Sequence, residues 1–195
     1  VRSSAASDVY KRQKEDLENI EKQLSTEDKY QLAKECIEKE DYENAILYLE
    51  QLAKVDYAFA EFTLANLYLA GLGVAKDEKK AAYYFELAAM LEYVEAQNAI
   101  ADCFYFGQGV PRNYRKAVYW YRQATKQNHP YATESLANCY YRGEGVVQNF
   151  EEAVKYFEKE MLEDNGKISI ESSLAATKRV IGINSTVLLL SIIHI

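Results

Sequence analysis

The chain is predicted to be all-α: a right-handed α/α superhelix (solenoid) of about four helix-turn-helix repeats. Two observations carry this. One stretch recurs at a fixed interval, as AEFTLANLYLAGLGVAKDEKKAAYYFELAA at 60–89, AQNAIADCFYFGQGVPRNYRKAVYWYRQAT at 96–125 and ATESLANCYYRGEGVVQNFEEAVKYFEKEM at 132–161. Gly71, Gly107 and Gly143 stand 36 residues apart, as do Gly73, Gly109 and Gly145, and a constant period of this length signals units that stack because none can bury its apolar face alone. Within each unit the apolar residues fall at steps of three and four, Leu64, Ala65 and Tyr68 and then Ala81, Tyr84, Phe85 and Ala88, which is the spacing of an amphipathic helix.

Taken in order, residues 3–13 (SSAASDVYKRQ) resemble a translated transposase adapter from sequencing libraries, and 190–195 (LSIIHI) come within one residue of the same adapter read on the opposite strand. Residues 1–13 are therefore set aside as a non-native tail and 190–195 as an adapter-derived end, and the native part is expected to be a fragment of a longer protein. Residues 14–25 are a charged helix or linker. The repeat array is expected over 26–163, in units 26–55, 57–91, 93–127 and 130–163. Ser25 with Asp28 forms a capping box for the first helix. Asp41 opens DYENAILYLEQLA, the second helix of a first unit that lacks the glycine pair. In the later units Gly71, Gly107 and Gly143 are placed to close the first helix in the left-handed conformation. The second glycine of each pair tightens the reversal, and replacing either by Ala is expected to cost about 1 kcal/mol. Asp77, Asn113 and Asn149 cap the second helices. Small Ala65, Ala101 and Ala137 allow close helix approach, with Tyr68, Phe104 and Tyr140 filling the space beside them. Pro130 suits a first helical turn. Residues 164–166 are a turn, and 164–189 a degraded repeat or capping segment. The apolar run 187–195 is too short for a bilayer span, which needs about 20 residues. No signal peptide begins the chain.

The pattern A-x-x-x-L-[AG]-x-x-[YF]-x-x-G-x-G-V, followed by [DN]-x-x-[KE]-A-x-x-[WYF], resembles the Sel-one-like repeat (SLR), a relative of the tetratricopeptide repeat. It covers residues 60–163, with a tetratricopeptide-like unit before it. The resemblance implies an adaptor or scaffold in signalling, secretion or protein quality control, and no particular reaction. One secreted branch of the family carries a disulfide inside each repeat, and one branch is credited with β-lactam hydrolysis. This sequence lacks the paired cysteines of the secreted branch.

The formal net charge is −7, which argues against nucleic acid as the main partner because phosphate binding needs a positive stripe. The 17 tyrosines fall mostly at helix-packing positions and are read as architecture. Cys103 and Cys139 share one core-facing repeat position, where a free thiol behaves as a small hydrophobe. Adjacent units lie about 9 Å apart, too far for a bridge, which needs Cα atoms within about 7 Å. With Cys36 the only other cysteine, a reducing, cytoplasmic setting is slightly favoured.

No catalytic or metal constellation assembles from the sequence, and no cofactor is expected. His129 beside Pro130 is read as a surface residue, and no C-x-x-C or H-x-x-x-H spacing points to a metal. The Gly-x-Gly loops close a helix, whereas phosphate cradles follow a strand and open one. Glu151–Glu152 and Glu158/Glu160 are solvated acidic pairs. The surface with functional promise is the inner face of the first helices, which lines the concave groove in the related tetratricopeptide fold. That register places Phe62, Asn66 and Leu69 there from one unit, Asn98, Asp102 and Tyr105 from the next, and Glu134, Asn138 and Tyr141 from the last. Asn66, Asp102 and Asn138 form a ladder whose amides and carboxylate can hydrogen-bond an extended peptide, while Tyr105 and Tyr141 supply apolar area. Asp102 and Glu134 favour a partner carrying positive charge. The expectation is a non-enzymatic protein-interaction module. The alternatives are a ladder that only rigidifies the array, a piece of a larger enzyme or a β-lactamase-like family member, and a spacer or oligomerisation element.

Overall fold

A computed structural model describes residues 24–163 together with Ala175 and Thr177. Among the described residues there are eight α-helices and no strand: α1 (Thr26–Glu38), α2 (Tyr42–Ala53), α3 (Ala58–Ala70), α4 (Glu78–Met90), α5 (Val94–Phe106), α6 (Tyr114–Lys126), α7 (Pro130–Arg142) and α8 (Phe150–Glu163). They pair as α1/α2, α3/α4, α5/α6 and α7/α8, and the extensive contacts run between helices consecutive in the chain, as in a one-dimensional array. The expected tail 1–13, most of segment 14–25 and residues 190–195 lie outside the described residues. So does the expected degraded repeat, except for Ala175 and Thr177, which are helical, with Thr177 buried.

Alanine columns let the helices approach. Ala60, Ala96 and Ala132 are fully buried one period apart, and so are Ala65, Ala101 and Ala137. Leu64, Ile100 and Leu136 fill the space between, each with no exposed surface. One apolar cluster runs from Ala33 to Cys139, and a second around Ala153 and Phe157 closes the described end.

The caps explain why each element starts and stops. Ser25 accepts the Asp28 amide at 3.1 Å while its own amide donates to the Asp28 carboxylate at 3.3 Å, the reciprocal capping box. The Asp77 side chain accepts from both the Lys79 and Lys80 amides at 3.0 Å. Asn113 takes the Lys116 amide at 3.1 Å and Asn149 the Glu152 amide at 3.0 Å. Gly71 closes α3 at φ +73°, its amide donating to the Leu67 carbonyl at 2.8 Å, the left-handed termination that glycine favours.

The second glycine of each pair does more than tighten the turn. A Cβ on Gly109 would overlap the Glu78 carbonyl at the start of α4, and one on Gly145 would overlap the Tyr114 carbonyl at the start of α6. Each loop thus rests directly on the N-terminus of the preceding unit's second helix. The first glycine has looser surroundings, the nearest atom to a Gly107 Cβ being the Arg112 Cβ at 3.3 Å. The equal cost expected for the two glycines is corrected accordingly: the second one is a joint between units.

Candidate binding groove

The nine residues expected on the inner face of the first helices lie on one face of each helix, at steps of four and three. Phe62 and Leu69 of α3 are half-buried and Asn66 is exposed. Asn98, Asp102 and Tyr105 of α5, and Glu134, Asn138 and Tyr141 of α7, are all half-buried. Among the described residues, the hydrogen bonds of Asn66 and Asp102 stay within their own units. Asn66 donates to the Phe62 carbonyl of its own helix at 2.9 Å. Asp102 accepts from Tyr121 at 2.6 Å and from Asn98 at 3.3 Å, both in its own unit.

Burial pushes the Asp102 carboxyl above its ordinary value, and the Tyr121 hydroxyl pulls it back down. The Asn98 Oδ1 is buried and has no hydrogen-bond partner. Toward the C-terminal end of α5, Tyr105 donates to Glu144 at 2.6 Å and accepts from Arg142 at 3.2 Å. These contacts do tie neighbouring units together, so Tyr105 adds rigidity as well as area. Burial, with the Glu144 acceptor, raises its phenol to about 12.

An aromatic shelf extends the face toward the N-terminal ends of the first helices. Phe59 is 48% exposed and packs on Tyr30 at 6.0 Å, Tyr57 at 5.8 Å and Tyr93 at 4.9 Å between ring centroids. Phe62 meets Tyr93 edge-on at 5.1 Å. Tyr57 donates to Glu27 at 2.6 Å, and the Tyr30 and Thr63 hydroxyls pair at 3.3 Å. Tyrosines at helix-packing spacing read as architecture, so the sequence expectation did not include this shelf. The signal was present in the column Tyr57, Tyr93 and His129, one period apart. His129 is half-buried, not a plain surface residue, and it caps α7: its Nδ1 accepts the Ala132 amide at 3.2 Å. Burial lowers its pKa, consistent with a neutral ring acting as acceptor.

The three cysteines are free, and no group of three or more potential ligands able to hold a metal ion occurs among the described residues. Burial pushes the Cys103 and Cys139 thiols up to about 12, so neither is an activated nucleophile. Among the described residues no helix is long and apolar enough to cross a membrane.

A family model described as Sel1 repeat matches residues 30–57, 58–93, 94–129 and 130–159. No curated protein is significantly similar in sequence. Among solved structures, a protective antigen of uropathogenic Escherichia coli strains with an SLR fold superposes at TM-score 0.68 and 27% identity, over 71% of this chain and 30% of that one. A Sel1 repeat protein from Oxalobacter formigenes superposes at TM-score 0.67 and 26% identity, over 74% of this chain and 59% of that one. Helicobacter pylori cysteine rich protein B superposes at TM-score 0.52 and 26% identity, over 69% of this chain and 95% of that one. The chain thus spans about a third of the first of these relatives and about three fifths of the second. The helix pairs, the glycine-closed loops and the four consecutive matches agree, and the chain belongs to the Sel1 repeat family.

Proposed function

We propose that this chain is a non-enzymatic scaffold module whose groove holds an extended segment of a partner protein. Sel1 repeat proteins are generally protein-interaction scaffolds, which supports the class. One observation supports the groove. The bonds that Asn66 and Asp102 make stay inside their own units, so the ladder does not serve to fasten one unit to the next. The ladder positions lie along one helix face, with the Phe59 shelf toward one end and Tyr105 and Tyr141 toward the other. Asn and Asp offer acceptors to peptide amides, and Asp102 and Glu134 favour a segment with Lys or Arg.

The test is capture of partner proteins by the full chain and by an Asn66→Ala/Asp102→Asn/Asn138→Ala variant of verified helical content. Loss of partners that the parent captures supports the groove; an unchanged set of partners rejects it.

A further inference from the structure

We propose that the outward face of α6 is a second docking surface, and that it takes an acidic amphipathic helix from a partner protein. α6 carries four cations, Arg115, Lys116, Arg122 and Lys126, and no acid, in a chain of net charge −7. All four are exposed. Arg115, Tyr119, Arg122 and Lys126 follow steps of four, three and four, so they form one straight row on the helix.

Two features make this row a surface with unmet charge. First, none of the ion pairs among the described residues involves α6. Arg122 instead donates to the Tyr140 hydroxyl at 2.7 Å, Lys116 lies 4.7 Å from the Phe104 ring centroid, and Lys126 donates to Gln123 at 3.2 Å. Second, the row has an apolar companion. Tyr119 is 55% exposed, and the residue one period earlier, Tyr83 on α4, is 57% exposed. They give an acidic helix something to bury besides charge.

The neighbouring helices set the width of the site. The positions on α8 equivalent to Arg115 and Arg122 are Glu151 and Glu158; on α4 the position equivalent to Arg122 is Glu86, while those equivalent to Arg115 and Lys116 are Lys79 and Lys80. Around Arg122 the positive strip is therefore one helix wide, about 10 Å, with a carboxylate on each side, and around Arg115 it widens onto the first turn of α4. A DNA duplex or an anionic bilayer covers more than that and would bring its phosphates against those carboxylates. A single helix with acids repeating at three and four, and an apolar edge for Tyr119 and Tyr83, fits between them. This face lies on the second helices and the groove on the first, so the two sites are independent.

The experiment measures fluorescence anisotropy of a labelled amphipathic helical peptide, with Glu along one edge and Leu beside it, on the full chain at low salt. The expected result is saturable binding, weakened at least about tenfold in the Arg115→Gln/Arg122→Gln/Lys126→Gln variant and by added salt. A peptide with Gln in place of Glu should bind at least about tenfold less well. Tyr119→Ala should also weaken binding, whereas Asn66→Ala/Asn138→Ala in the groove should leave it unchanged. All substituted residues are exposed or half-buried, and a thermal melt checks that each variant remains folded. The proposal is overturned by no binding, or by binding that the triple variant retains. It is equally overturned if the triple substitution instead removes tighter binding to a short DNA duplex, binding to phosphatidylserine vesicles, or self-association seen by sedimentation.

Discussion

The Tyr121 hydroxyl donates to the Asp102 carboxylate at 2.6 Å, and at this point two repeat columns change together. The ladder reads Asn66, Asp102, Asn138, and the facing second-helix column reads Phe85, Tyr121, Phe157. Where the amide becomes a carboxylate, the phenyl ring gains a hydroxyl. A half-buried carboxylate needs a donor that an amide does not, and the tyrosine supplies it from within the same unit.

Tyr121→Phe is expected to destabilise the chain by about 1–3 kcal/mol, because it strips a donor from a partly buried charge. Burial already raises the Asp102 pKa, and Tyr121 opposes that rise. Removing Tyr121 therefore raises it further. A raised carboxyl gives stability that is present below its unfolded pKa and lost as pH climbs through the folded one. The Tyr121→Phe variant should lose more stability than the parent across that window. Asp102→Asn/Tyr121→Phe, which recreates the pair of the sister units, should recover most of the loss and flatten the added pH dependence. Urea melts at several pH values read both effects.

A second buried carboxyl behaves differently because it has no donor at all. Glu61 is 1% exposed, and neither of its side-chain oxygens has a hydrogen-bond partner. One period on, Gln97 donates to the Ala89 carbonyl at 3.4 Å and accepts from Gln127 at 3.0 Å. The residue equivalent to Gln127 in the Glu61 unit is Leu91, which offers no donor. Burial, with Asp56 nearby, raises Glu61 to about 7. Stability from this site is present below about pH 4.5 and falls as pH rises toward 7. Glu61→Gln should abolish that fall and stabilise the chain at pH 8 by up to about 3 kcal/mol. Equal melting temperatures of the two proteins at pH 5 and pH 8 would refute the assignment.

The array was legible in the sequence because it is written in repeating local signals. Glycine at Gly71, Asn at Asn113 and Pro130 each act through their own backbone neighbourhood, so a single chain is enough to read them. The ladder positions were legible for the same reason, since they keep the period. The relation of Gly109 to Glu78, the Tyr121 bond to Asp102 and the shelf around Phe59 depend on which helix faces which. Those pairings join residues about half a period to a full period apart, and no local pattern marks them. The charge row on α6 was visible as composition but was averaged away by a net charge taken over the whole chain.

Gly109→Ala should be far more costly than Gly107→Ala. Both glycines have positive φ, +70° and +78°, so each substitution carries about 1 kcal/mol of backbone strain. At Gly107 less is added, because the nearest atom, the Arg112 Cβ, is 3.3 Å away and a shift of a few tenths of an ångström relieves it. At Gly109 the new methyl overlaps the Glu78 carbonyl, and the loop must lift off α4. A total of about 3 kcal/mol or more is expected there. Similar melting curves for the two variants would show that the loops are not the joints between units.

Thiol reactivity reads the packing of the same column in two units. Cys103 and Cys139 are 4% and 0% exposed, and burial holds both thiols near 12. Cys36 is half-buried, its pKa raised by desolvation and by Asp41 to a lesser degree. Only the thiolate attacks a disulfide reagent, and attack also requires access. In the native protein at pH 8, Cys36 should therefore react first with an aromatic disulfide. The other two should react only at the rate at which the array opens, and should all be released at once in denaturant. Because each lies at a boundary between stacked helices, the lag at Cys103 and Cys139 measures local opening of those units. Comparing that lag in the parent and in Gly109→Ala tests whether the loop joint keeps the third unit closed: it should shorten at Cys103 more than at Cys139.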